Sequence, residues 1–170
     1  GLATCGWRLG VNEDPLWMDQ RAPKNWAASA IGTGLGRDPV AEHFGRMTGR
    51  PRWVIGWAED DDTAGAHCCT CWDLQLWVER LFVHSWDAHR YGSEGMMALH
   101  WRTAAIAPNI SALARAGWDL DEGRGSLTNL VPVAGRVPGM NAYWADWGRG
   151  MFGGDAGEEA GLCIQRFDGS

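Results

Sequence analysis

Nearly continuous apolar runs of strand length alternate with longer amphipathic stretches along the chain. The run over residues 53–58 ends abruptly in four acidic residues, and the run over residues 95–100 ends in a histidine. Between them, apolar side chains recur at spacings of three and four over residues 72–91, which predicts a long helix. Strands that are apolar on both faces and alternate with helices are typical of parallel β/α units.

The same pattern predicts further strands and helices. Strands are expected over residues 2–9 and 26–31, and the stretch 127–133 has the length of another short one. Helices are expected over residues 38–47, 108–118, 141–152 and 155–167. The predicted fold class is α/β: half of a (β/α)8-type barrel, with about four parallel β/α units over residues 1–120. A loop over 121–138 would lead to C-terminal helices over 139–170 that pack on the same domain. A small doubly wound sheet is the alternative topology.

Four parallel strands by themselves would leave two open sheet edges, which proteins avoid. We therefore expect the chain to pack against another protein chain or against a missing half of its own precursor. The chain begins at Gly1 without a signal peptide. It is therefore expected to be a piece of a longer product.

Composition and charge narrow the classes of partner. The chain has 170 residues, of which 45% are hydrophobic and 21% charged, as in an ordinary globular domain. Its net charge is −6 and Lys24 is the only lysine, so it lacks the basic patch that nucleic acid requires. No apolar run approaches the roughly 20 residues that span a bilayer. We expect neither a nucleic-acid partner nor a membrane span.

Tryptophan is unusually frequent, with 12 residues in the chain. Such large rings either fill an aromatic core or line a cleft, where their flat faces suit the apolar faces of sugars. The sequence alone leaves both interpretations open for each tryptophan.

The five cysteines do not form a metal-binding pattern. They are Cys5, Cys68, Cys69, Cys71 and Cys163. A structural zinc site needs two separated ligand pairs, and only one crowded group is present. A disulfide from this group to Cys5 or Cys163, or free thiols, remain the alternatives. The glycine-rich stretch 32–36 lacks the lysine of a phosphate-binding loop. The sequence therefore predicts neither a metal nor a cofactor.

Asn109 begins an N-x-S sequence, which has two interpretations. It is a glycosylation signal if the chain is secreted. Alternatively, because it lies where a helix is predicted to begin, Asn109 caps backbone N–H groups there.

The acidic run Glu59, Asp60, Asp61 and Asp62 is the first candidate for chemistry. In β/α folds functional groups collect at the carboxyl ends of strands, and this run follows a buried strand directly. Adjacent carboxylates repel, so that one of them can hold a proton near neutral pH and serve as a general acid. The alternative is an acidic turn that favours the dipole of the following helix.

His100, Trp101 and Arg102 follow the next predicted strand. They could bind a hydroxyl, a sugar face and a carboxylate of a substrate. The alternative is that Arg102 forms a structural ion pair, within roughly 4 Å, with the acidic run on the neighbouring strand.

Several stretches together resemble the C-terminal half of a glycoside-hydrolase-like (β/α)8 barrel of the α-N-acetylglucosaminidase-like group, of the kind found with malectin-like domains. They cover residues 2–10, 16–31, 50–61, 75–80, 91–103 and 109–118. The most specific are Trp57-Ala58-Glu59-Asp60-Asp61 and His100-Trp101-Arg102-Thr103. The stretch 63–70, with its cysteines, is longer than the pattern of the group.

The resemblance implies a secreted or lumenal domain that hydrolyses or binds a glycan. Glu59 or Asp60 would be the catalytic acid or nucleophile. The substrate-binding residues would be Trp57, Asp61, His100, Trp101 and Arg102. Because glycosidases usually need two carboxylates across a cleft, a half barrel raises an alternative: a non-catalytic structural subunit of a larger assembly.

Overall fold

A computed structural model describes residues 2–3, 16–31, 40–58, 76–100, 107–119, 137 and 139–168. The strands are β1 (Leu2–Ala3), β2 (Trp26–Ile31), β3 (Arg52–Trp57) and β4 (Gly95–Leu99). The helices are α1 (Trp17–Arg21), α2 (Val78–Arg90), α3 (Ala107–Asp119), α4 (Met140–Phe152) and α5 (Gly154–Gln165), with a 3-10 helix over Glu42–Arg46.

The strands lie side by side in chain order, and every neighbouring pair is parallel. β2, β3 and β4 form one three-stranded sheet, in which Ile31, Ile55 and Met97 lie in register. The two-residue β1 pairs only with the start of β2. β3 is therefore the central strand, hydrogen-bonded along both sides.

The expected half barrel of four β/α units is wrong. Within the described ranges one sheet contains only three strands of five or six residues, and the chain carries five α-helices. α1 and the 3-10 helix have five residues each. Five α-helical residues rise about 8 Å, whereas a six-residue strand is about 20 Å long, so such a helix does not span a strand. Among the described elements, only two strands are followed by a helix long enough to span them. α2 follows β3 and α3 follows β4, and each of these helices has 13 residues.

Most individual elements agree with the apolar pattern. The strands at 26–31, 53–58 and 95–100 and the helices at 108–118, 141–152 and 155–167 shift by at most two residues at either end. The described part of the helix expected over 72–91 begins at Val78, and that of the helix expected over 38–47 is 3-10. Residues 4–9 and 127–133 lie outside the described ranges.

One face of the sheet packs on α2. Val54 and Met96 point to this face, where Val54 joins Ala28, Phe44 and Ala88 in a buried cluster. The side chains of α2 and α3 form a second cluster with α4, built on Leu81, Phe82, Ala112, Tyr143 and Trp144. This burial explains the period of three and four in α2. Both strands and helices are thus held through their apolar sides.

The amino edge of the sheet is held by Arg50, which is buried just before β3. All five of its N–H groups are used. Nε donates to Asp19 Oδ1 at 2.7 Å, and the four others donate to the carbonyl oxygens of Asp19, Ala22, Pro23 and Trp26. Burial raises the pKa of Asp19, but Lys24 and Arg50 outweigh it and hold that pKa below its ordinary value. Arg50 thereby fixes α1 and the start of β2 against β3.

A buried carboxylate joins α2 to the segment that precedes the 3-10 helix. Asp87 Oδ2 accepts a hydrogen bond from the backbone N–H of Val40 at 3.0 Å. Its Oδ1 lies 3.4 Å from the guanidinium of Arg90. Burial raises the pKa of Asp87 above its ordinary value, although Val40 and Arg90 partly oppose this.

α4 and α5 form a close hairpin because glycines face one another. A Cβ on Gly157 would lie 2.6 Å from the carbonyl oxygen of Gly148, and a Cβ on Gly161 would overlap the carbonyl oxygen of Trp144. Without side chains at these positions the two backbones come into direct contact. Within the described part of the chain no helix is both long and apolar enough to cross a bilayer.

Gly161→Ala is expected to lower the free energy of unfolding by about 1–3 kcal/mol, because the new methyl group must push α5 away from α4. Gly150→Ala is the matched control: it lies on α4, and its Cβ would meet nothing within 4 Å. The control should be neutral or gain up to about 1 kcal/mol from helix propensity. Urea unfolding measures both, and equal stability of the two variants would contradict the close packing.

Asp87→Asn tests the buried carboxylate through pH. Because the pKa of Asp87 is raised on folding, the folded state holds the proton more tightly than the unfolded state, and stability falls as pH rises through the raised pKa. The Asn variant keeps an acceptor for Val40 and lacks this loss. Its stability relative to the native protein should therefore increase between pH 4 and pH 7. Glu159→Gln, on the exposed side of α5, controls for the loss of one charge; a relative stability of Asp87→Asn that stays flat with pH would refute the assignment.

Candidate functional site

The carboxyl edge of the sheet brings the ends of β3 and β4 together with the starts of two helices. Trp57 and Leu99 lie in register, and Ala58 N donates to Leu99 O at 2.9 Å, which continues the ladder one residue beyond β3. α2 and α3 both begin at this edge and run back along the sheet. Of the residues that the sequence predicts as a site, Trp57 lies in β3, and the others follow Ala58 or Leu99 in the chain.

Asn109, in the first turn of α3, connects these elements. Its Nδ2 donates to the carbonyl oxygen of Ala58 at 2.6 Å. Its Oδ1 accepts the backbone N–H of Trp77, the residue before α2, at 2.9 Å. The side chain is fully buried, at 0% exposure. One carboxamide therefore joins the end of β3, the start of α2 and the start of α3.

Tyr143 of α4 holds the first turn of α3 from the opposite side. Its phenol donates to the carbonyl oxygen of Pro108 at 2.9 Å. Burial raises the pKa of Tyr143 to about 12, so the phenol keeps its proton at physiological pH and stays a donor. The turn that carries Asn109 is thus fixed to the buried cluster formed by α2, α3 and α4.

Aromatic side chains pack at the carboxyl edge on the face away from Val54. Ile55 and Trp57 are buried there and contact Trp77 and Leu99. The guanidinium of Arg80, also buried, lies 4.3 Å from the centre of the Trp77 ring. A cation held this close to an indole ring is attracted by its negative face.

Two of the residues predicted as a site lie in the described ranges. Trp57 is 5% exposed and belongs to this aromatic cluster, while His100 is exposed directly after β4. Register places the ends of these two strands side by side. The others, Glu59, Asp60, Asp61, Asp62, Trp101 and Arg102, lie outside the described ranges, and so does the expected ion pair of Arg102. Their roles stay predictions.

Of the two interpretations of Asn109, glycosylation signal or helix cap, the structure of the folded chain favours the second. The side chain is buried and both of its polar ends are used, so the folded chain has no room for a glycan on it. Asn109 does bind a backbone N–H at a helix start, as the second interpretation expects. The N–H belongs to Trp77 ahead of α2 rather than to α3.

The described cysteines and acidic residues do not cluster as metal ligands do. Cys163 is an exposed free thiol, and Cys5, Cys68, Cys69 and Cys71 lie outside the described ranges. Among the residues that the structure describes, no group of three His, Cys, Asp or Glu side chains could hold a metal ion.

Comparison of the chain with protein-family models, curated proteins and solved structures gave no match. The resemblance to the α-N-acetylglucosaminidase-like group therefore stays a prediction.

Three residues that shape this edge were not among the predicted site residues: Trp77, Arg80 and Asn109. Residues 75–80 belong to the helix predicted over 72–91, in which Trp77 is one of the periodic apolar positions, and they also carry part of the resemblance. The partners of Asn109 are 32 and 51 positions away, which local sequence does not reveal.

Proposed function

We propose that this chain is a carbohydrate-active, glycoside hydrolase-like domain that binds or hydrolyses a glycan at the carboxyl edge of its sheet. The observation that supports it best is the fixed end of β3. Both polar backbone groups of Ala58 are bonded, N–H to Leu99 and C=O to Asn109. Glu59 follows Ala58 directly in the chain, so the residue before the acidic run is fixed in the sheet.

A run of four carboxylates suits glycosidic chemistry. Hydrolysis uses one carboxyl group that donates a proton to the leaving oxygen and another that acts as nucleophile or base. In this proposal Glu59 or Asp60 is the acid or nucleophile, with Glu59 the first candidate for the acid, and repulsion from the neighbouring carboxylates raises the pKa of the acid. Asp61 binds a sugar hydroxyl.

The end of β4 supplies the substrate-binding groups in this proposal. His100 is exposed beside the end of β3, and Trp101 and Arg102 follow it in the chain. Adjacent strands are about 4.8 Å apart, so groups after β4 are within reach of groups after β3. The buried Trp57 forms the floor of the site, and Trp101 stacks on the sugar. A secreted or lumenal location goes with such a substrate.

A non-catalytic structural subunit is the second candidate, and the burial of Trp57 favours it. With 5% of its surface exposed, that ring offers little area to a sugar. The apolar side chain of Met97 on β4 is 44% exposed, and a protein partner would cover it. In this candidate the edge is a packing site, and glycans do not bind it.

Glu59→Gln in the full-length protein tests the first candidate. With p-nitrophenyl N-acetyl-α-D-glucosaminide and a panel of other p-nitrophenyl glycosides, we expect kcat to fall by about 10²–10⁴-fold, because Gln cannot donate the proton. Glu94→Gln makes the same chemical change at the opposite, amino edge, where Glu94 is exposed beside Arg52. It should keep full turnover.

Two results would overturn the proposal. One is undiminished turnover of the best substrate by Glu59→Gln. The other is a native protein that neither hydrolyses nor binds any member of the panel, which would favour the structural subunit.

A further inference from the structure

We propose that Asn109 is a positioning residue, whose single carboxamide holds Ala58 and Trp77, the residues on either side of the connection from β3 to α2. Glu59, the first residue of the acidic run, follows Ala58 directly in the chain. The part of this inference that concerns activity rests on the proposed function. The structural part rests on the described contacts alone.

The two hydrogen bonds of Asn109 lie on either side of one connection of the chain. Ala58 is the last described residue before the connection, and Trp77 is the residue before α2. Asn109 Nδ2 bonds the first at 2.6 Å and Oδ1 bonds the second at 2.9 Å. A connection of 18 residues is therefore fastened at both ends by two atoms of one planar group.

The chemistry of the amide fits this role better than that of related side chains. One end must donate to a carbonyl oxygen and the other must accept from an N–H, and a carboxamide offers one of each in fixed geometry. A carboxylate at this position would present an oxygen to the carbonyl oxygen of Ala58. An alanine would leave two buried backbone groups without their partner.

Asn109 is itself held rigidly, as a positioning residue must be. Tyr143 donates a hydrogen bond to the carbonyl oxygen of Pro108, the residue before Asn109. Ala112, one turn later, is fully buried in the cluster formed by α2, α3 and α4. Ala58, which Glu59 follows in the chain, is thus tied through Asn109 to the cluster formed by α2, α3 and α4. In the proposed function Glu59 reacts with the substrate, and small displacements of reacting groups are costly to catalysis.

Amide hydrogen exchange of the native protein is the first test, because it needs neither a variant nor a substrate. Trp77 precedes the first residue of α2, and such an N–H usually exchanges fast. We expect the Trp77 amide to be protected as strongly as amides in the middle of α2. Fast exchange at Trp77 would overturn the proposal.

Asn109→Asp and Asn109→Ala are the second test, with Gly117→Ala on the same helix as control, since its Cβ meets nothing within 4 Å. In both Asn109 variants, exchange of the backbone amides of Ala58 and Trp77 should speed up at least tenfold, while amides of α4 and α5 keep the native rate. Unchanged exchange at Ala58 and Trp77 would overturn the proposal. If a variant does not fold, the native measurement at Trp77 decides alone.

Kinetics separate this inference from the proposed function. With p-nitrophenyl N-acetyl-α-D-glucosaminide, or the best substrate of the panel, Asn109→Asp should lower kcat about 10–100-fold and change KM less than threefold. Native kcat together with faster exchange would overturn the positioning role. Faster exchange in a protein that neither hydrolyses nor binds any member of the panel would support the structural part and overturn the proposed function.

Discussion

The burial of β3 on both of its faces is the constraint on which the other elements depend. Val54 packs under α2 on one face, and Ile55 and Trp57 are buried on the other. A strand buried in this way must be hydrogen-bonded along both edges, because its backbone groups have no water to bind. The parallel neighbours β2 and β4 meet this requirement, and the helices that cover the sheet follow from it.

The two ends of β3 are held by different chemistry. At the amino edge Arg50 uses five charge-assisted donors and pairs with Asp19. At the carboxyl edge Asn109 uses one donor and one acceptor, both neutral. Because all five N–H groups of Arg50 are used within the fold, its role is structural. The arrangement at the carboxyl edge fixes Ala58, the residue that precedes the acidic run of the proposed site.

Local sequence predicted the elements that depend on local patterns. The apolar runs of β3 and β4 and the periodicity of α2 and α4 correspond to observed elements because burial on one or two faces leaves a clear period. The expected half barrel is wrong because two of the helices between its strands are too short to form β/α units. α1 and the 3-10 helix are single turns, and α1 is fixed by the ion pair between Asp19 and Arg50, which are 31 positions apart. Of the candidate site, the placement of Trp57 and His100 at neighbouring strand ends followed from the parallel order, whereas the bridging contacts of Asn109 are long-range and leave no periodic trace.

The central claim, that the carboxyl edge is the functional surface, can be tested most directly by nuclear magnetic resonance of the indole N–H groups during titration with N-acetylglucosamine. Single Trp→Phe variants assign the signals. The account predicts that the signals of Trp57 and Trp77, at the carboxyl edge, shift as the sugar binds, while those of Trp17 on α1 and of Trp144 and Trp147 on α4 stay in place. Shifts confined to Trp17, Trp144 or Trp147, or no shift of any indole signal, would contradict it.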